Sequence, residues 1–250
     1  VSVLLFTAAW FARDSAGAPP PAENFRASQK KIERVKNAYD LKWPGIKKKL
    51  SEMKIDTSSF ELFIRGFKEE KQIEVWVKNK NATTWSLYTT YAICASSGEA
   101  GPKRCQGDGQ VPEGFYHVNT FNPYSNYLLS LGVSYPNSSD KVFACRHDPG
   151  GAIMIHGNCV TIGCIPITDD KIRELYVMAV EAKADGQEEI PIHLFPARMT
   201  KEKTDALKKS NPDPQTGIFW DNLKEGYDKF EAAKTLPVIT VNKAGKYIFG

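Results

Sequence analysis

The block His156-Gly157-Asn158-Cys159-Val160-Thr161-Ile162-Gly163-Cys164 combines the residue types that acyl transfer requires. A thiolate is the reactive form of cysteine, and a nearby imidazole generates or stabilises it near neutral pH. The reaction also needs donors aimed at the developing oxyanion. Glycines beside the nucleophile let backbone N–H groups come close to a bound carbonyl. Gly157 follows the histidine and Gly163 precedes the last cysteine. Cys164 is therefore a candidate nucleophile and His156 a candidate general base. The N–H of Cys164 and that of a neighbour would form the oxyanion site. The same residues also fit a structural histidine beside two core thiols, and type and spacing alone leave both readings open.

The five cysteines are Cys94, Cys105, Cys145, Cys159 and Cys164. None forms a CxxC pair and no histidine lies at finger-like spacing, which argues against a structural zinc site. In an oxidising compartment an odd count leaves one thiol over, as a cysteine nucleophile requires; in a reducing cell all five would stay thiols. Cys159 reads as a competing nucleophile or a disulfide partner. Of the other histidines, His147 reads as loop structure, His193 as a core residue on an apolar strand and His117 as a surface residue. Tyr124, Tyr127 and Tyr135 would line a sugar or peptide groove, or simply pack.

The elements that must hold this block are mostly strands. Phe60–Phe67 and Ile73–Lys78 read as a β-hairpin around a polar turn, and Trp85–Cys94 as a further strand. Ser96–Gly109 is a glycine-rich loop. Phe115–Thr120, Lys141–Cys145, Ala152–Ile155 and Ile190–Phe195 are strand-like. A helix should run from Asp169 to about Lys183, with Thr168 as its cap and acidic residues in its first turn. Helices are expected over Arg26–Asp40, from Pro44 to Met53, and over Thr200–Ala233 with a break around Asn211–Gly217. Val238–Val241 would be a last edge strand. Strands in runs, without βαβ alternation, imply a mainly β, mostly antiparallel catalytic domain with helical N- and C-terminal extensions.

Composition narrows the function. The chain of 250 residues is 42% hydrophobic, which excludes a disordered polymer and allows a sizeable core. The net charge of +4 is mild, and no basic stripe with interleaved aromatics marks a nucleic-acid surface. Val1–Ala12 is an uncharged, mostly apolar run, too short for the roughly 20 residues of a bilayer span. Its length suits the core of a secretory signal, with Ala16-Gly17-Ala18 as a cleavage-like site and Pro19–Pro21 as a stiff linker. A retained membrane anchor, or a buried strand or helix, is the alternative.

The site block resembles the active-site motif of the YkuD-type L,D-transpeptidases, a His-Gly followed by Ser/Thr-x-Gly-Cys. Here those elements are His156-Gly157 and Thr161-Ile162-Gly163-Cys164. It is most similar to the YafK-like branch, where the loop between His and Cys is short. Gly107–Tyr116, Phe121-Asn122-Pro123 with Ser125 and Tyr127, Pro191–Pro196 with Met199, and Phe219-Trp220 with Leu223 and Gly226-Tyr227 resemble further motifs of that branch, in order. The likeness spans roughly Asn37 to Val241. It implies that Cys164 forms a thioester with a peptidoglycan stem peptide and that His156 takes the thiol proton. Gly163 and the Cys164 N–H would serve the oxyanion site, and Thr161 and Gly157 would support the loop. One departure is Ile162, where the common pattern carries a second histidine.

The expected organisation is a signal- or anchor-like segment with its linker over 1–22, a helical extension over 23–55, an L,D-transpeptidase-like catalytic domain over 56–199 and a helical extension over 200–250 packing on it. The expected enzyme is exported to the periplasm or cell envelope and needs no metal or organic cofactor. Its partners would be stem peptides and, in one reading, a wall-linked lipoprotein. Hydrolysis by the same thiol, or a catalytically silent wall-binding module, are the rival functions.

Overall fold

A computed structural model describes residues 22–145 and 148–250. The apolar run Val1–Ala12, Ala16-Gly17-Ala18, Pro19–Pro21 and His147 lie outside the described residues. The fold is β-rich with helices at both ends of the chain, as the strand runs imply. Eight strands form one sheet in the order β3-β2-β1-β8-β4-β5-β6-β7. They are β1 (Phe60–Phe67), β2 (Gln72–Asn79), β3 (Ser86–Ala92), β4 (Gly114–Asn122), β5 (Ser130–Val133), β6 (Met154–His156), β7 (Ile165–Pro166) and β8 (Pro191–Phe195). Neighbours are antiparallel except β1 with β8 and β6 with β7. The helices are α1 (Ala22–Lys30), α2 (Glu33–Glu52), α3 (Ser138–Phe143), α4 (Asp169–Ala184), α5 (Lys201–Ser210) and α6 (Pro214–Ala233). A separate two-stranded ribbon, β9 (Ile239–Val241) and β10 (Tyr247–Phe249), closes the chain.

Both faces of the sheet are buried, so its central strands are apolar nearly throughout. The period-2 alternation sorts side chains by shape. Leu62, Ile64, Val118, Ile192 and Leu194 face α2 and α4 in one cluster of aliphatic residues and tyrosines. Phe67, Phe115 and Phe195 face α6 in a cluster with Trp220 and Tyr227. Helix α4 is covered by α1 and α2 on one side and by the sheet on the other. Its run Leu175–Ala182 is consequently buried all round. The one acidic side chain in that run, Glu181, accepts from Arg26 Nε at 2.9 Å and Tyr39 Oη at 2.6 Å. Among the described residues no helix is long and apolar enough to cross a membrane.

Several elements differ from the sequence expectations. Lys141–Cys145 is not a strand; Lys141–Phe143 end helix α3. Asn137 and Asp140 form a reciprocal capping box that satisfies the first turn's free N–H groups. The N-terminal helices divide at Lys31–Ile32 rather than near Lys42, and Pro44 lies inside α2. Thr168 occupies the N-cap of α4 but its side chain makes no capping bond. The break between α5 and α6 is only Asn211–Asp213, because Asp213 caps α6 through the N–H groups of Gln215 and Thr216.

Candidate active site

The loop from Gly157 to Cys164 leaves β6 and returns into β7, two adjacent parallel strands. Three devices hold it. Gly157 N–H donates to Tyr127 O at 3.1 Å. A Cβ at Gly157 would lie 2.6 Å from Asp169 Oδ1 and 2.7 Å from Tyr127 O, so only glycine fits without displacement. Asp169, in the first turn of α4, accepts the Asn158 N–H at 2.9 Å. Finally, Cys159 is disulfide-bonded to Cys94, at the end of the β3 strand segment.

At the other end of the loop, Thr161 Oγ1 donates to Cys164 O at 2.7 Å and accepts from Gly163 N–H at 3.1 Å. Gly163 adopts φ +138°, a conformation that other residues rarely enter. The Gly163 N–H is thus engaged inside the loop. No hydrogen bond holds the Cys164 N–H among the described residues, which leaves it the donor open to an incoming oxyanion.

Cys105 pairs with Cys145 and Cys94 with Cys159, so Cys164 is the free cysteine. Its thiol lines two cavities. One, about 290 Å³, is also lined by His156, Tyr127, Ser130 and Met154. The other, about 510 Å³, runs under α5 and is walled by Ile93, the Ala95–Ala100 strap and Leu207. Tyr127 stacks on the His156 ring at 4.5 Å, and Ser130 sits opposite His156 in the β5–β6 register. The Ser130 hydroxyl is buried without a hydrogen-bond partner.

His156 Nδ1 lies 2.5 Å from Gly157 O. A carbonyl can only accept, so Nδ1 carries the proton and Nε2 keeps its lone pair. Burial pushes the imidazole pKa down, partly offset by this bond. Burial pushes the Cys164 thiol up, against a backbone hydrogen bond from Met154. Both shifts favour the neutral form, and the thiol donates to Ala152 O at 3.7 Å.

Of the remaining sequence candidates, His193 is buried against Phe63 and Phe115, and His117 is partly exposed beside Glu189. Tyr124 and Tyr127 border the His156 cavity, whereas Tyr135 is buried and bonds Pro149 O. Ile162 is 91% exposed. The structure adds Ser130, Met154 and Asp169, which lie on other elements. The acidic first turn of α4 was the only local signal among them.

The fold and loop define a β-sheet protein with a thiol and an imidazole presented into one cavity. A family model, the YkuD L,D-transpeptidase catalytic domain, matches residues 63–192. YafK of Escherichia coli K12 is 36% identical over 189 residues, covering 75% of this chain and 73% of YafK. The chain belongs to the YkuD family of L,D-transpeptidase catalytic domains. Among solved structures, the helical cell shape determining protein Pgp2 of Campylobacter jejuni aligns with TM-score 0.43 and 18% identity over 74% of this chain and 73% of that one. Bd1075 of Bdellovibrio bacteriovorus aligns with TM-score 0.39 and 21% identity over 73% and 77%.

Proposed function

We propose that the protein is a peptidoglycan-modifying cysteine acyl-transfer enzyme of the cell envelope, with Cys164 as nucleophile and His156 as general base. One observation carries this reading: the free thiol and the imidazole with an unprotonated Nε2 line the same cavity. His156 Nε2 takes the Sγ proton as Sγ attacks the carbonyl carbon at an L-centre of a stem peptide. The Cys164 N–H faces the oxyanion. Collapse expels the amine, which leaves with the proton from His156, and a thioester remains on Sγ. An amine acceptor or water, deprotonated by His156, then releases the acyl group. Gly157 and Thr161 serve this step by fixing the loop, not by touching substrate.

The second cavity at Cys164 supports two-substrate chemistry, because a thioester facing two openings can be approached by an acceptor after the first product departs. Incubating purified sacculi with the protein and with Cys164→Ala, followed by mass spectrometry of the muropeptides, tests the proposal. New linkages or exchanged terminal amino acids that vanish in the variant mean transpeptidation. Released peptide or protein fragments without new linkages mean hydrolysis by the same thiol, including release of a wall-linked lipoprotein. No change with either protein would reject the enzyme and leave a wall-binding module.

A further inference from the structure

A third cavity, about 690 Å³, lies between α6, the β9–β10 turn and the segment around Arg104. Most of its wall comes from residues 211–246, beyond the segment that matches the family model. Helix α6, the residues just before it and the β9–β10 turn thus build a concave site. Ala100 lines this cavity and also the 510 Å³ cavity at Cys164, which places the two on either side of one residue.

The charges on this wall are already neutralised within the protein. Arg104 pairs with Asp140 at 3.2 Å, Lys246 with Glu225 at 3.3 Å and Asp221 with Lys208 at 2.6 Å. Asp213 is committed to capping α6. Each charge thus has an internal partner, which weakens the wall's pull on a charged ligand. The neutral groups with hydrogen-bonding capacity to spare are amides. Gln110 Oε1 accepts from Glu99 N–H, leaving its NH₂ free; Asn211 Oδ1 accepts from Asp213 N–H, leaving its NH₂ free. Gln215 is exposed with both ends of its amide open. Two apolar side chains are exposed on the same wall, Phe143 at 40% and Ile218 at 61%. The Arg104 guanidinium lies 5.0 Å from the Phe143 ring centroid and holds it in place.

Neutral donors and acceptors beside an exposed aromatic ring suit a ligand with many hydroxyls and C–H faces but no charge. We propose that this cavity binds a neutral saccharide, with the amides of Gln110, Asn211 and Gln215 on its hydroxyls and Phe143 against a sugar face. Identifying that saccharide with the glycan strand that carries the stem peptide rests on the proposed function; saccharide binding itself does not.

The test is calorimetric titration of the full chain, carrying Cys164→Ala so that nothing turns over, with the β-1,4-linked tetramer of N-acetylglucosamine. Saturable binding is expected, weakened about tenfold or more by Gln215→Ala and by Phe143→Ala. Gln215 is exposed, so its variant keeps the fold, and an unchanged melting temperature verifies this. Lack of saturation up to about 10 mM, above the millimolar range of weak specific sites, overturns the proposal. So does binding that both variants leave undiminished, or capture of an uncharged peptide at these residues in place of the sugar. The sacculus assay can fail while this titration succeeds, and the reverse, so the two proposals fall separately.

Discussion

Burial acts on Cys164 and His156 in the same sense, favouring the neutral form of each. On the proposed mechanism the reaction would then begin with proton transfer from a neutral thiol, and two pH dependences follow. The imidazole pKa lies below its ordinary 6.5, so the free base persists as pH falls past that value. The acid limb of kcat/KM on a stem peptide should sit below 6.5. In His156→Ala it should disappear, with a rate loss of about 10²–10⁴. The thiol pKa lies above 9.0, so iodoacetamide labelling of Cys164 in the His156→Ala protein should keep rising beyond that pH. A labelling midpoint near neutrality would mean that a preformed thiolate exists and that the base is not needed. Thr161 offers a separate check. Its hydroxyl ties Gly163 N–H to Cys164 O, so Thr161→Ser should keep activity while Thr161→Val loses about tenfold or more. These residues were legible in the chain because they are contiguous. Ser130 and Met154 were not, since only strand pairing brings them to the same cavity.

At the level of elements, the site depends on how its loop is clamped. A methyl group at Gly157 meets a backbone carbonyl and a helix carboxylate, neither of them free to swing away. Gly157→Ala should therefore cost about 1–3 kcal/mol of stability and most of the activity, measured by thermal melting and product formation. The two disulfides separate structural from catalytic support. Removing Cys94–Cys159 releases the loop that carries Cys164, whereas removing Cys105–Cys145 releases a segment near α3. Both double alanine variants should lose about 2–4 kcal/mol. Below its melting temperature, only the Cys94→Ala/Cys159→Ala protein should also lose turnover. Elements with a clean period were readable in the sequence: the β1–β2 hairpin, α4 and β8 all lie within two residues of their expected ranges. Helix α3 was misread because Lys141–Cys145 alternates like a strand while its capping box lies upstream. Strand β7 is two residues long and contains a proline, which leaves no pattern to detect.

Across the whole molecule, a sheet buried on both sides leaves titratable groups without water. His193 is enclosed by Phe63, Phe115 and Phe195, its Nδ1 has no hydrogen-bond partner, and burial holds its pKa well below 6.5. In the unfolded chain the same histidine takes up a proton near pH 6.5. Its contribution to stability is thus complete above that pH and is lost as pH falls below it. His193→Phe should flatten the acid side of a stability–pH curve measured by urea unfolding. The residual slope carries the same sign from His156. If the slope is unchanged, His193 is hydrated in solution. The mainly β, mostly antiparallel class was legible from strand runs, but the strand order was not, because it depends on partners far apart in the chain.

Strand β8 makes that separation concrete. It lies between β1, to which it pairs in parallel at Ile64, and β4, to which it pairs antiparallel at Tyr116. A ribosome that has released the chain as far as Asp185 has made seven of the eight strands but not the one that joins β1–β3 to β4–β7. Most of the chain must wait, uncommitted, for five residues near position 193. A message truncated between Pro166 and Pro191 would yield two unjoined half-sheets with open edges, prey for proteases and for each other, and no partial enzyme. Conversely, two fragments divided in the loop after β3 would each lack a finished sheet. They would regain it together when β8 of the second docks on β1 of the first, which makes that loop the natural place to split the protein into complementing halves.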